Sequence, residues 1–345
     1  MNSAFISDLE KFTEAEWLSA VDSLLPEIHA VDRDAVRIWF RFYPLDLLNY
    51  LESAENVEEA MKGLAMEGDF GLLDKIDTSH RFLYGHRFWP LVKASVVERA
   101  ESDAPFAGLE AEIRSVAAKA SAAAKTQISL TTAIAAVGLM TLVQAGLDEF
   151  KAAPGMTEQP EGMMAGSPDQ IVAARAKDDS QGLFGFLKTV DKKYSVAFKA
   201  MASAGRFPVI NDEEIASASQ KFRERDWQSL DSRCWEGPVP IECTSASCGT
   251  CWVGVLGGAE KLSTPSDRER RQMKVFGYGQ TGDEKPFIRL ACQARASGNV
   301  TIVIPPWNAV FGKKVRGNVD DVELEPVTTS AKKLRDAVTS ALAGE

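Results

Sequence analysis

The chain has 345 residues, 45% of them hydrophobic and 26% charged, with a formal net charge of −10 at pH 7. The length predicts two or three domains, and the composition excludes disorder throughout. The charge is uneven: residues 1–165 carry 14 Lys and Arg against 26 Asp and Glu, whereas residues 232–310 carry nine against seven. No basic stripe is present, so we expect no nucleic-acid partner.

Residues 8–105 are predicted to be helical. From Glu14 to Leu25, large apolar residues recur at helical spacing until Pro26 interrupts the pattern. Asp32 or Asp34 is expected to cap the next helix. That helix contains a run of aromatic residues, which we interpret as part of the packing core. The alternatives are an electron relay or a binding site for a flat cofactor. The run consists of Trp39, Phe40, Phe42 and Tyr43.

A weak internal repeat lies in this helical region. Arg-Phe-Tyr-Pro-Leu at 41–45 and Arg-Phe-Trp-Pro-Leu at 87–91 are 46 residues apart, and Glu-x-Ala-Glu begins eleven residues after each Arg. The spacing fits a duplicated helix pair, and stacked helical hairpins commonly present a concave surface to a partner protein. A chance match is the alternative.

The stretch 108–150 is rich in Ala and predicted to be helical, and it has 22 uncharged residues from Thr126 to Leu147. Its length fits a membrane span through Ile128–Leu147. However, it contains several Ser, Thr and Gln residues, no aromatic belt flanks it, and the preceding cations would place the C-terminal half outside the cell. We therefore favour a buried or partner-facing helix. Since the first residues also lack a secretory signal, we expect a cytoplasmic protein, with membrane association as the alternative.

The composition changes after residue 151. Residues 152–190 are rich in Gly and Pro and predict a linker, with a short helix near Gln170–Ala176. A hairpin is predicted from Tyr194 to Ile210 with Ala204-Gly205 as its turn, followed by a helix over Glu213–Arg223 that Asn211 or Asp212 would cap. Later strands are predicted at Trp252–Leu256, Phe287–Leu290 and Val300–Ile304, and a final helix from about Ser330 to Leu342.

Four of the five cysteines form one motif. Cys243, Cys248 and Cys251 are spaced C-x4-C-x2-C, and Cys292 follows downstream in Arg-Leu-Ala-Cys-Gln. A 2Fe–2S cluster needs four thiolates, two on each iron. A tight loop can supply three of them when its other side chains are small and its backbone N–H groups turn toward the sulfurs, and every residue between these cysteines is Gly, Ala, Ser or Thr.

Other interpretations of the cysteines are weaker. A zinc site usually pairs two cysteine knuckles or a cysteine pair with a histidine pair, whereas here the downstream cysteine is single and all three histidines lie far upstream. If Cys248-Gly-Thr-Cys251 were a thioredoxin-like redox motif, Cys243 and Cys292 would have no role. The pattern therefore predicts one 2Fe–2S cluster.

Residues 239–305, from the cysteine loop to the closing strand at Val300–Pro305, resemble the plant-type 2Fe–2S ferredoxin family. The resemblance implies a β-grasp fold with Cys243, Cys248, Cys251 and Cys292 as cluster and metal ligands. Two departures from the family pattern are an insertion containing Trp227, Cys234 and Trp235, and a longer interval before Cys292 that holds a helix at 266–274 and a Gly-rich loop at 277–282.

The fold expected for the whole chain is α+β. It comprises a helical region at 1–151 that docks partners, a linker at 152–190, a β-grasp 2Fe–2S domain at 191–312, and an acidic segment with a helix at 313–345. Trp252 and Trp307 are expected in the β-grasp core.

A few residues have both a functional and a structural interpretation. Cys234 is a spare ligand or, as we favour, a structural or free thiol. His80 and His86 would be haem or metal ligands, but packing or surface roles are favoured since their spacing fits no single helical face. The basic run at 268–271 with Lys274 is a solvated helix face or a contact for an acidic partner.

The function predicted is that of a non-catalytic electron carrier which exchanges single electrons with a separate oxidoreductase at a low potential. Neither a dinucleotide-binding nor a P-loop fingerprint is present, so we do not expect the chain to act alone as a reductase. The alternatives are a fixed iron–sulfur subunit of a dehydrogenase or hydrogenase type of complex, and a cluster that serves as a redox sensor or structural staple.

Overall fold

A computed structural model of the chain describes residues 4–177, 192–278 and 283–308, together with the single positions 315, 338 and 341. Two compact units are present. The helical unit comprises Met1–Ser53 and Phe70–Ala174, and the sheet unit comprises Ala54–Asp69 and Arg175–Glu345. The predicted α+β class, with a helical N-terminal region and a C-terminal sheet, is confirmed.

The structure defines the following elements, joined by turns and short 3-10 helices. The helices are α1 (Ala4–Leu9), α2 (Glu14–Leu24), α3 (Ala30–Phe42), α4 (Leu45–Glu52), α5 (Val57–Gly63), α6 (Trp89–Ala100), α7 (Leu109–Ala124), α8 (Thr132–Ala145), α9 (Leu147–Ala152), α10 (Pro168–Ala176), α11 (Ile215–Gln220), α12 (Trp227–Leu230) and α13 (Asp267–Val275). The strands are β1 (Glu67–Gly68), β2 (Lys193–Lys199), β3 (Ala204–Ile210), β4 (Glu213–Glu214), β5 (Trp252–Gly257), β6 (Ile288–Leu290), β7 (Arg295–Ala296), β8 (Val300–Val303) and β9 (Trp307–Asn308).

Helix α8 is the centre of the helical unit. Every residue from Thr132 to Leu142 is buried, and α3, α6 and α7 pack around it. Gly138 allows this close packing, since a Cβ there would lie 3.3 Å from Val96 and 3.4 Å from Trp89. The stretch Ile128–Leu147 is thus divided between a 3-10 turn, α8 and the start of α9. We favoured a buried or partner-facing helix, and the structure shows the buried one. Among the described residues, no helix combines the length and the apolar composition needed to cross a bilayer.

The N-terminal cap of α2 is the one that its local sequence favours, whereas the cap of α3 is not. Thr13 caps α2 through a capping box with Glu16, as the Thr-x-x-Glu pattern favours. The prediction that Asp32 or Asp34 caps α3 is wrong, since the Nδ1 atom of His29 accepts the N–H of Val31 instead. Asp32 is fully buried, and its carboxylate accepts the N–H groups of Tyr84 and Gly85 at 2.7 and 2.8 Å. A contact 52 residues away therefore decided the role of this aspartate.

The buried histidines form a continuous chain of hydrogen bonds. The N–H of Glu158 donates to Nε2 of His86, at 3.2 Å. Nδ1 of His86 lies 3.0 Å from Nδ1 of His80, and Nε2 of His80 lies 3.1 Å from the carbonyl of Ile76. Because the last contact requires a proton on Nε2 of His80, His86 must donate to His80, and both rings are neutral. The favoured packing role is confirmed.

The two copies of the internal repeat enter different local structures. In the first copy, Arg41 and Phe42 end α3 and Pro44 precedes α4. In the second copy, Arg87 and Phe88 lie in a 3-10 turn, and Pro90 is in the first turn of α6. Both prolines mark a helix start, and duplication itself stays a prediction. The aromatic run at 39–43 is buried in the core of this unit, as expected.

The first part of the predicted linker is attached to the helical unit. Asp77 accepts the N–H groups of Gly155 and Met156 at 2.7 and 3.0 Å. The expected short helix is α10, and its residue Ile171 is fully buried in an apolar cluster with Val31. Residues 178–190 of the linker lie outside the described residues.

The sheet unit is built on five strands in the order β3-β2-β8-β5-β6. Only the β2–β8 contact is parallel, and the other three pairings are antiparallel. The parallel central pair flanked by antiparallel strands is the β-grasp arrangement that was predicted, and the strands expected at 252–256, 287–290 and 300–304 are present within a residue or two. Trp252 and Trp307 are buried with ring centroids 5.4 Å apart, as expected.

Two local predictions in this unit are wrong. The hairpin turn falls at residues 200–203, because Lys199 pairs with Ala204. Gly205 lies within β3 opposite Phe198, and a Cβ there would meet the Phe198 ring at 3.1 Å. The helix expected over 213–223 is the shorter α11, because Glu213 and Glu214 pair with β7 instead. The N-cap residue of α11 is Glu214, whose side chain makes no capping hydrogen bond. The helix predicted at Ser330–Leu342 lies outside the described residues.

Candidate metal centre

The cysteine loop runs from Cys243 to Cys251 and leads directly into β5. Two of its residues have left-handed backbone: Ala246 with φ 62° and Gly249 with φ 69°. This conformation costs a non-glycine residue on the order of 1 kcal/mol, so the surrounding structure must hold Ala246 in place. Its side chain is 1% exposed. The loop therefore has a bent backbone that small residues make possible.

Gly249 has a second reason to be glycine. A Cβ at this position would lie 2.9–3.2 Å from the ring of Phe276, which follows the last residue of α13. Phe276 is fully buried, and its ring covers the loop at this point. The interval between Cys251 and Cys292 thus supplies a wall of the site.

The fourth cysteine reaches the loop through the strand pairing of β5 with β6. Trp252 pairs with Leu290, and the N–H of Ala291 donates to the carbonyl of Cys251 at 2.9 Å. Cys292 follows at once. A cysteine 41 residues away along the chain is in this way brought next to Cys251, and all five cysteines of the chain are free thiols.

The four thiols meet as two pairs. A hydrogen bond from Cys248 lowers the pKa of Cys243 to about 5 against the opposing effect of burial, and the same bond raises the pKa of Cys248. A hydrogen bond with Cys292 raises the pKa of Cys251 well above its usual range and lowers that of Cys292. Two such neighbours cannot both ionise without added positive charge, since each thiolate repels the other.

Backbone N–H groups of the loop lower the pKa values of the sulfurs beside them. Those of Ser245 and Cys248 lower the pKa of Cys243, that of Thr250 opposes the rise in the pKa of Cys248, and that of Ala246 lowers the pKa of Cys292. Such donors stabilise thiolates, and they remain when the sulfurs bind a metal.

The site is closed on most sides. Cys243, Cys251 and Cys292 are buried, whereas Cys248 is partly exposed and Thr244 is exposed. The side-chain amide of Gln293 donates to the carbonyls of Thr244 and Cys292 and lies 3.6 Å from the Cys292 sulfur. The edge formed by Thr244 and Cys248 is therefore where the site approaches solvent.

A buried ion pair supports the fourth cysteine from behind. The guanidinium of Arg289 binds both carboxylate oxygens of Glu269, at 2.8 and 2.9 Å, and the two side chains are 1% and 0% exposed. Glu269 also accepts the N–H of Leu290 at 3.1 Å, and Arg289 donates to the carbonyl of Ser263. The pair joins α13 to β6 three residues before Cys292.

These supporting residues were missed by the sequence analysis. Glu269 was counted within the basic run of α13, and Arg289 and Gln293 were noted only as neighbours of the cysteine. A signal was present, because Glu269, Gln272, Met273 and Phe276 follow the i, i+3, i+4, i+7 spacing of one helical face. Glu269, Gln272 and Met273 are buried, and so is Phe276 at the end of that face.

Cys234 lies outside this group. Its thiol is buried and donates to the carbonyl of Pro238 at 3.2 Å. Burial raises its pKa to about 12, so it is a neutral thiol at ordinary pH. The preference for a structural thiol is confirmed.

The geometry suits a binuclear cluster better than a single ion. In the described part of the chain, no three His, Cys, Asp or Glu side chains surround one point closely enough to hold a metal ion. A 2Fe–2S cluster does not require this, because each iron takes only two thiolates and the bridging sulfides complete its coordination. The pairs Cys243–Cys248 and Cys251–Cys292 fit that division.

Comparison with known proteins agrees with the site. Residues 217–297 match the family described as the 2Fe-2S iron-sulfur cluster binding domain. A ferredoxin of Bacillus thermotolerans is 37% identical over 57 residues, which are 16% of this chain and 41% of that ferredoxin. No solved structure matches. The match leaves residues 1–216 unassigned, although β2 and β3 of the sheet precede it and β8 follows it. The chain therefore contains a domain of the ferredoxin-type 2Fe–2S family at residues 217–297.

Proposed function

We propose that this protein is a carrier of single electrons, with one 2Fe–2S cluster bound by Cys243, Cys248, Cys251 and Cys292. The observation that carries the proposal is that the pairing of β5 with β6 brings Cys292 to the loop that holds the other three cysteines, where the four thiols shift one another's pKa values in two pairs. When bound, the cluster supplies a one-electron couple, and all-cysteine ligation places its potential on the order of −400 mV.

The residues around the four cysteines would stabilise the bound cluster and shield it from water. The N–H groups of Ser245, Ala246, Cys248 and Thr250 offset the negative charge of the thiolates. Phe276 and the buried loop residues exclude water from one side, whereas Thr244 and Cys248 leave a short edge near solvent. Such an edge is where a redox partner would approach closely.

The test is spectroscopic. Protein prepared without oxygen should contain two irons and two sulfides per chain, and dithionite reduction should give a rhombic S = 1/2 EPR signal. Colourless protein, protein that holds zinc, or protein in which one of the four sulfurs is in a disulfide would refute the proposal.

A second candidate is a fixed iron–sulfur subunit of a larger oxidoreductase. The size of the helical unit favours it, because that unit lies wholly outside the ferredoxin match and a carrier alone does not need it. Co-purification of a stoichiometric partner at high salt would support this candidate, whereas a chain that purifies alone and exchanges electrons by collision would support the diffusible carrier. In both cases the partner is a separate oxidoreductase, and the proposed location is the cytoplasm.

A further inference from the structure

We propose that the exposed side of α13 is the docking surface for the redox partner, and that the partner presents an acidic face to it. This inference rests on the proposed function and adds the chemistry of the partner. We define the basic face as the exposed side chains of Arg268, Arg271 and Lys274.

The charge of this surface comes from the amphipathic division of α13. The buried side of the helix holds Glu269, which is neutralised by Arg289, so that its charge does not oppose the exposed cations. Apart from Glu269, residues 267–285 contain five cations, the three of the basic face included, and three acids, which is a net charge of +2. The acids are Asp267 at the start of the helix and Asp283 and Glu284 beyond its end.

The basic face lies next to the cysteine loop. Phe276, two residues after Lys274, packs on Gly249, and Gly249 adjoins the partly exposed Cys248. Glu269 binds the N–H of Leu290, close to Cys292. A partner held on α13 would therefore be near the edge at which the cluster approaches solvent, which is the place where electron transfer is fastest.

A protein partner fits this face better than a membrane. Surface-binding helices insert apolar side chains into lipid in addition to attracting its charge. The apolar residues of α13, Met273 and Val275, are both buried and serve the fold. What α13 presents is positive charge without an apolar face, and such a surface steers an acidic protein into place.

The experiment compares two double charge reversals. Arg271→Glu with Lys274→Glu changes the basic face. Lys193→Glu with Arg206→Glu makes the same change in net charge on β2 and β3, at the sheet edge opposite β6. Both variants and the wild type are reduced with dithionite, and their oxidation by ferricyanide and by hexaamminecobalt(III) is followed by stopped flow at several ionic strengths. Poly-L-glutamate serves as the probe for an acidic protein.

We expect oxidation of the wild type by ferricyanide to slow as salt is added. At low salt the α13 variant should react about tenfold more slowly than the wild type, and the cationic oxidant should show the opposite change. Poly-L-glutamate should slow the wild type and the Lys193 and Arg206 variant, but not the α13 variant.

Four outcomes would overturn the inference. Equal effects of the two variants would show that net charge alone matters, and no effect of either would show that α13 does not steer. Acceleration of the wild type by salt would indicate that an acidic part of this chain covers the face. Binding to phosphatidylserine vesicles, with no response to poly-L-glutamate, would assign the face to lipid. The EPR signal of the same samples separates these results from a failure of the proposed function, in which no signal appears.

Discussion

In the helical unit, the buried carboxylate of Asp77 accepts the indole N–H of Trp89 and the backbone N–H groups of Gly155 and Met156. In the sheet unit, the buried thiol of Cys251 instead faces another acidic group, the thiol of Cys292. The first arrangement is complete in the protein alone, since donors meet acceptors. The second brings like groups together, so that full ionisation requires positive charge from outside the chain.

The difference separates polar groups that complete the fold from the proposed cluster ligands. The neutral chain through His86 and His80 has an acceptor for each donor, and adding a metal would break its hydrogen bonds. The cysteine loop brings backbone N–H groups, which lower thiol pKa values, to sulfurs that repel one another when charged. Burial alone does not distinguish the two cases, whereas the balance of donors and charges does.

The largest expected effect tests the cysteine side of this comparison. Cys292→Ser should remove the S = 1/2 signal and leave less than half of the iron, because a serine oxygen is a poor substitute for the fourth thiolate. Cys234→Ser is the matched control, since the hydroxyl can still donate to Pro238 and no loss of iron is expected. EPR and iron analysis measure both. Equal loss in the two variants, or none in the first, would mean that Cys292 does not ligate the cluster.

The next effect concerns the buried pair behind the cluster. Arg289→Met leaves the carboxylate of Glu269 buried and uncompensated, which should lower the free energy of unfolding by about 3–5 kcal/mol. Guanidinium denaturation gives this value, and the visible absorption should show faster loss of the cluster. Arg223→Met, which breaks a surface ion pair with Glu236, should cost at most about 1 kcal/mol. Similar values for both variants would remove the supporting role of the buried pair.

A smaller effect is expected at two glycines with similar backbone. Gly249 and Gly162 have φ values of 69° and 56°, but a Cβ at Gly162 meets no atom within 4 Å. Gly162→Ala should therefore cost only the backbone strain, about 1 kcal/mol, whereas Gly249→Ala adds the clash with Phe276. Phe276→Leu combined with Gly249→Ala should recover part of the difference. Denaturation of the four proteins checks this, and equal costs at both glycines would contradict it.

The smallest effect tests the histidine side. Burial lowers the pKa of His80 well below 6.5, and the charge of a protonated His86 would lower it further. The unfolded chain binds a proton near pH 6.5 that the folded chain does not, so stability is complete above that pH and falls as the pH drops. The loss can reach about 1.4 kcal/mol per pH unit. His80→Gln removes this titration and keeps a donor for Ile76.

Denaturation followed by circular dichroism between pH 5 and pH 8 measures the two slopes. The variant should be less stable at pH 8 and should lose less stability on acidification than the wild type. Identical slopes would mean that His80 does not set the acid sensitivity of the helical unit.

The sequence by itself determined the features that depend on neighbours in the chain. The spacing of Cys243, Cys248 and Cys251 predicted the chemistry, because a tight loop can supply three thiolates to one cluster when the residues between them are small. Short apolar runs predicted β5 and β8 within a residue or two. The capping box of Thr13 and Glu16 is likewise a local interaction, complete within four residues.

Tertiary structure decided the features that depend on distant groups. Asp32 was predicted to cap a helix, but its carboxylate accepts N–H groups more than 50 residues away. Gly205 was predicted to form a turn, but it lies beneath the ring of Phe198. Glu269 lies within a basic run of the sequence, but in the structure its carboxylate pairs with Arg289 in the core. In each case, a buried polar or steric contact formed on folding outweighs local preference, and the identity of that contact is not encoded near the residue itself.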